Sequence, residues 1–189
     1  MNLFYKNIIC LLFPLTILSY NSQSQNSLNM GANLSAGNVG FPIDGKRGLG
    51  ANLEYTRTIS PNGVLRSYLG YDWFQYRSTV RNWRIIQDSV DVKGLGMSLI
   101  PIRLGYQHFV IANTGFVYAE AGLSHIVSKY EHPDISRNCF SYAIGMGYKI
   151  QSAKTQYFQI SLYYNHNRVN EYSNNNYLSL RVAYGWSDL

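Results

Sequence analysis

The chain has 189 residues, of which only 14% are charged, with 17 Tyr, 16 Gly and a net charge of +6. A typical soluble domain carries about 25% charged residues, so this composition suits a surface that meets lipid better than one that meets water. The length fits a single domain. Lys6, the apolar run Ile8 to Leu18 and the polar stretch Ser22-Gln23-Ser24-Gln25 read as an export signal peptide over residues 1–25, with residues 26–189 forming the mature domain. At about eleven residues the run is too short for a transmembrane helix, which needs about twenty. Its removal leaves 15 basic and 10 acidic residues and one cysteine, Cys139, so no internal disulfide can form.

From Ser27 onward, eight runs alternate apolar with small or polar side chains, the period of a half-buried strand. The predicted strands are Ser27–Ala36, Gly48–Ile59, Val64–Tyr76, Val92–His108, Phe116–Val127, Asn138–Gln151, Gln156–Asn165 and Tyr177–Trp186. In the fourth, Leu95, Met97 and Leu99 share one parity and Ile102, Leu104 and Tyr106 the other. A β-bulge near Ile100 and Pro101 is expected to swap the faces there, since an inserted residue inverts the alternation and proline cannot donate to the ladder. Short connections at 60–63, 109–115 and 152–155 alternate with long ones at 37–47, 77–91, 128–137 and 166–176. This pattern predicts an all-β, eight-stranded antiparallel up-and-down transmembrane β-barrel with short periplasmic turns and longer outer loops.

A soluble lipocalin-like barrel would alternate too, so the polar face decides. It is built from Gly, Ser, Asn and Ala with a few charges of both signs: Glu54, Arg66, Asp72, Arg103, Glu120, Lys149 and Arg181. A soluble exterior would be dense in Lys and Glu, whereas a narrow lumen needs small residues and paired charges. Facing lipid, each basic residue would cost roughly 2 to 4 kcal/mol at the midplane. The polar face is therefore the lumen, and Trp73, Tyr106, Tyr148, Tyr164, Tyr177 and Trp186 fit interfacial girdles. The lumen charges are expected to form an ionic plug in two tiers. Arg66, Arg103 and Glu120 would lie low, with Glu54, Asp72 and Arg181 nearer the middle.

With these elements placed, the chain resembles the small outer-membrane β-barrel families of Gram-negative bacteria, the OmpA- and OmpX-like group. The stretches that carry the resemblance are 98–106 (SLIPIRLGY), 118–122 (YAEAG), 145–148 (GMGY) and 178–186 (LSLRVAYGW). They are architectural, and carry the fold rather than an activity. The resemblance implies an outer-membrane location in contact with lipid and lipopolysaccharide. One departure stands out: such chains usually end on an aromatic residue, whereas here Trp186 is followed by Ser187, Asp188 and Leu189.

Eight strands leave an interior just wide enough for side chains to fill, so a wide pore is not expected. The reading favoured is a non-catalytic structural or surface-interaction role, with a narrow solute channel as the alternative and a lipid A-modifying enzyme third. A deacylase of the third kind sets His and Ser two residues apart on one strand face. Ser124 and His125 are adjacent, which aims them at opposite faces. His125, Glu131, His132 and Asp134 match no metal-ligand spacing, and no cofactor motif is present. The second outer loop carries Arg77, Arg81, Trp83 and Arg84, a mixture able to meet lipopolysaccharide phosphates or a protein partner. The fourth, with six asparagines between Asn165 and Asn176, reads as a solvated loop. The basic residues are dispersed along the chain, which argues against nucleic acid.

Overall fold

The computed structural model describes residues 25–37, 46–75, 78–81, 89–92, 96–111, 114–128, 135–168 and 174–187. The strands are β1 (Asn26–Gly37), β2 (Lys46–Ser60), β3 (Gly63–Gln75), β4 (Ser78–Arg81), β5 (Ser89–Val92), β6 (Gly96–Ile111), β7 (Gly115–Ser128), β8 (Ile135–Ala153), β9 (Gln156–Arg168) and β10 (Asn174–Ser187). Eight of them close an antiparallel barrel in the order β1-β10-β9-β8-β7-β6-β3-β2, and β4 and β5 pair separately inside the second long connection. Closure comes from β1 pairing with β10, from Ser27 opposite Ser187 to Ala36 opposite Leu178. Closure leaves the barrel sheet itself without an edge strand. The predicted export segment lies outside the described residues, Gln25 excepted.

The start of β1, the end of β10 and the three short turns gather at one end of the barrel, which is the periplasmic end by the convention that short turns face inward. Ser60-Pro61-Asn62-Gly63 turns the chain there as the sequence predicts, and the Phe109 amide donates to the Asn62 carbonyl at 2.8 Å. Register shifts occur at Thr58/Ser60, Phe109/Ile111 and Gln151/Ala153, all at this rim, where bulges commonly end the pairing of barrel strands.

The bulge expected at Ile100–Pro101 is absent. Pairing of β6 with β3 keeps one register across the proline, with Leu69 opposite Ile102 on one side and Asp72 opposite Leu99 on the other. Proline only interrupts the ladder where its missing N–H would have donated. The faces never swap: Met97, Leu99, Pro101, Arg103 and Gln107 all point inward. Met97 and Leu99 are lumen residues, packed with Phe74, Ile126, Cys139 and Tyr177 into an apolar cluster toward the outer end.

Outside, Met30, Leu34, Leu49, Leu53, Leu162, Leu180 and Val182 form an exposed apolar belt. Trp73, Tyr106 and Tyr148 share this outer surface as predicted. Tyr177 does not. It is buried in the lumen, edge-on to Phe74 with ring centroids 4.9 Å apart, and donates from its hydroxyl to Asp72 at 3.2 Å.

The interior is filled by rings laid over glycines. A Cβ at Gly48 would sit 2.7 Å from the Phe74 ring, one at Gly145 would sit 2.8 Å from Tyr118, and one at Gly147 would sit 2.5 Å from Phe116. Alternating small and large inward residues is how a narrow barrel reaches close packing. Gly147→Val is accordingly expected to lower the urea midpoint of the refolded barrel, because the added side chain meets both the Phe116 ring, packed against Tyr118, Ala143 and Tyr163, and the Ile160 carbonyl at 2.6 Å. An unchanged midpoint would show that the ring can move aside.

A charge network in the barrel lumen

Six ionisable side chains singled out by the sequence, Glu54, Arg66, Asp72, Arg103, Glu120 and Arg181, all point inward and are at most 3% exposed. Alternation brings them there: each sits on the parity that also carries the small polar residues of its strand. Glu54 on β2 is the hub. Its carboxylate accepts from Arg66 on β3 at 2.7 Å, from Arg181 on β10 at 2.7 Å and from the Asn29 amide on β1 at 3.0 Å. Arg66 also donates to Gln107 at 2.9 Å, lies 3.8 Å from Glu120, and stacks its guanidinium 3.8 Å from the Tyr118 ring centroid.

Arg103 on β6 extends the network across the lumen. It donates to Asn165 at 2.7 Å and to Ser141 at 3.1 Å, and meets Glu120 at 3.4 Å. Arg181 lies over Tyr68 and Tyr163, 4.6 Å from each ring centroid. The five residues Glu54, Arg66, Arg103, Glu120 and Arg181 therefore join into one connected set rather than two tiers, because Glu54 reaches both of the arginines expected at different depths. Asp72 stands apart. It makes no ion pair among the described residues and accepts from neutral donors, Asn33 at 3.0 Å and Tyr177.

Sequence reasoning assigned Asn165 and Asn167 to a solvated loop, although Asn165 is also the last residue of the seventh predicted strand. Both are fully buried on the inner face of β9, which runs on to Arg168. Their signal was the odd parity they share with Ser161 and Tyr163.

Residues 8–186 match the family model for the outer membrane protein beta-barrel domain. The chain belongs to that family. Its barrel lies in the bacterial outer membrane, with the apolar belt against lipid. Among solved structures, the attachment invasion locus protein Ail of Yersinia pestis, determined with the heparin analogue sucrose octasulfate, is 18% identical with a TM-score of 0.55. The match covers 87% of this chain and 100% of that one. Neisserial surface protein A is 12% identical with a TM-score of 0.51, over 88% of this chain and 98% of its own. Both likenesses concern the fold. None of the curated proteins matches the chain.

As a barrel of this family, the segment 26–189 refolded in detergent micelles is expected to migrate faster on a gel unboiled than boiled. Solubility in plain buffer without such a shift would contradict the membrane barrel.

Outside the lumen, the remaining sequence candidates separate. Ser124 is buried inside, while His125 lies on the outer face, bonded to Asn138 at 2.8 Å and near Ser136 at 3.2 Å, so no Ser–His pair forms. No metal-ligand cluster occurs among the described residues, and Glu131, His132 and Asp134 lie outside them. Arg81 ends β4, whereas Trp83 and Arg84 lie outside the described residues.

Proposed function

We propose that this is a non-catalytic outer-membrane barrel whose lumen is sealed, and whose role is to support the envelope and present its outer loops to the surroundings. The observation that carries this reading is the cross-lumen network, in which strands on opposite walls are tied through Glu54, Arg66, Arg103, Glu120 and Arg181. Above it, the apolar cluster of Phe74, Met97, Leu99, Ile126, Cys139 and Tyr177 gives a permeating ion nothing to replace its hydration shell.

In a planar bilayer, the purified protein is expected to leave conductance at the background of the protein-free membrane. Steady unitary steps would favour the narrow channel instead. Glu120→Gln separates the two readings further: a seal loses stability, and a channel changes conductance. A variant unchanged in both would remove the plug from the account.

The loop residues Arg81, Trp83 and Arg84 suit contact with an anionic surface, lipopolysaccharide phosphates or an acidic partner, since guanidinium groups bind such oxygens in pairs. Ail was determined with a polyanion, and the same chemical class is the one to test first here. Retention on a heparin column should fall on R81A/R84A replacement. Equal retention would place the contact elsewhere.

A further inference from the structure

The inward charges do not all cancel. Three arginines face three carboxylates in the lumen, and a seventh group, Lys149 on β8, is left over. It makes no ion pair among the described residues, because the acid above it, Glu54, is already shared between Arg66 and Arg181. Its Nζ instead lies 4.3 Å from the Tyr157 ring centroid and 5.2 Å from that of Phe109. Such ring faces hold a cation in place while leaving its donors available.

Lys149 opens onto a cavity of about 610 Å³ at the periplasmic mouth, within the size range of small-molecule sites. Its wall includes Ser27, Thr56, Gln151, Gln156 and Tyr157, and a second lysine, Lys154; among the described residues no carboxylate lines it. Next to Lys149 in register, Gln159 is fully buried, and neither its amide nitrogen nor its carbonyl oxygen has a protein partner. Gln159 is not part of the cavity wall, so the polar groups that face the opening are those of Lys149 and of the wall itself.

We propose that this mouth is an anion-binding vestibule that takes a carboxylated, hydroxyl-rich ligand of the periplasm, a sugar acid, with Lys149 as the residue that selects the charge. The half-buried Lys149 ammonium matches one carboxylate, while Lys154 stands exposed at the rim. The hydroxyl and amide side chains around it match sugar hydroxyl and acetamide groups, and the partly buried Phe109 ring in the same wall offers a surface for a sugar ring. Free periplasmic sugar acids carry this chemistry, and so does cell-wall glycan wherever its lactyl carboxyl is not amide-linked to a peptide stem.

The test uses the mature barrel refolded in a nonionic detergent, titrated with N-acetylmuramic acid and, separately, with N-acetylglucosamine, which lacks the carboxylate. N-acetylmuramic acid is expected to bind the wild type and to bind Lys149→Met about tenfold more weakly or worse, with Lys149→Arg retaining most of the affinity. Removing a cation that makes no ion pair among the described residues should leave the fold intact, with Met keeping the contact to the Tyr157 and Phe109 rings, and an unchanged boiling-dependent gel shift of Lys149→Met checks this. Co-sedimentation with isolated cell-wall sacculi distinguishes the sources: retention of the wild type but not of Lys149→Met assigns the polymer, and binding of the free sugar acid alone assigns the solute. Equal binding of the two sugars, equal binding by a folded Lys149→Met, or no binding of N-acetylmuramic acid to the wild type would each overturn the proposal.

Discussion

Glu54→Gln is expected to destabilise the barrel by about 3 to 5 kcal/mol, the range for removing one partner from a buried ion pair. The carboxylate is fully buried and is the counter-ion of two guanidinium groups, each at 2.7 Å. Gln keeps the shape and one acceptor for Asn29, so packing changes little; what is lost is the charge. The lumen would then hold three arginines against Asp72 and Glu120, with Arg181 left without an acidic partner. The expected readout is a lower urea midpoint in lipid vesicles at an unchanged slope, which assigns the loss to the native state rather than to a change in the unfolded chain.

Two companion variants make the mechanism specific. Glu120→Gln should cost less, because its contacts with Arg103 and Arg66 are longer, at 3.4 and 3.8 Å, and Arg103 keeps Asn165 and Ser141. Asp72→Asn should cost only about 1 kcal/mol, the scale of one neutral hydrogen bond, since Asn33 and Tyr177 donate to it without charge. If all three variants lost the same stability, burial alone would be responsible and the pairing geometry would be irrelevant. If Glu54→Gln lost less than about 1 kcal/mol, water would be screening the network as it does surface pairs.

The eight barrel strands, the alternation of short with long connections and the inward charges were legible because period-two alternation depends only on which side of the pleat a residue occupies. Glu54, Arg66, Arg103, Glu120 and Arg181 share parity with Asn, Ser and Gly on their strands, and parity places them inside without any knowledge of their partners. Who pairs with whom was not legible. Pairing depends on barrel tilt and on the reach of long side chains across the lumen, so Arg181 on β10 meets Glu54 on β2 across the intervening strand.

The errors have one physical origin, the assumption that apolar means lipid-facing. Met97, Leu99 and Tyr177 fill the outer half of the lumen, where bulk is needed and charge is not. Counting strict parity back from Arg103 through Pro101 would have placed Leu99 and Met97 inside. Hydrophobicity, followed residue by residue, required a bulge that the chain does not have. The opposite error placed Asn165 and Asn167 in solvent, where polarity was taken for exposure. In a membrane barrel with a packed interior, parity is the stronger guide, because both faces accept apolar residues and only one tolerates polar ones.

That asymmetry sets the second large effect. Leu180→Arg is expected to cost about 2 to 4 kcal/mol, the range for a basic residue facing the middle of the bilayer. Leu180 is exposed on the outer wall, with Leu34 and Leu162 opposite it on the neighbouring strands. It lies between the level of Tyr164, which pairs with Leu178, and Tyr184 below. The adjacent Arg181 is the internal control: the same side chain, one residue along, is accommodated because it points to Glu54 rather than to lipid. Leu178→Arg, at the upper aromatic level, should cost less, since a long basic side chain there can reach the headgroups. Measured by reversible unfolding in vesicles, the loss should therefore fall from position 180 to position 178. A barrel standing in water would reverse the sign, because Arg on its exterior would be neutral or would improve solubility, so a Leu180→Arg variant as stable as the wild type would move the apolar belt out of the membrane altogether.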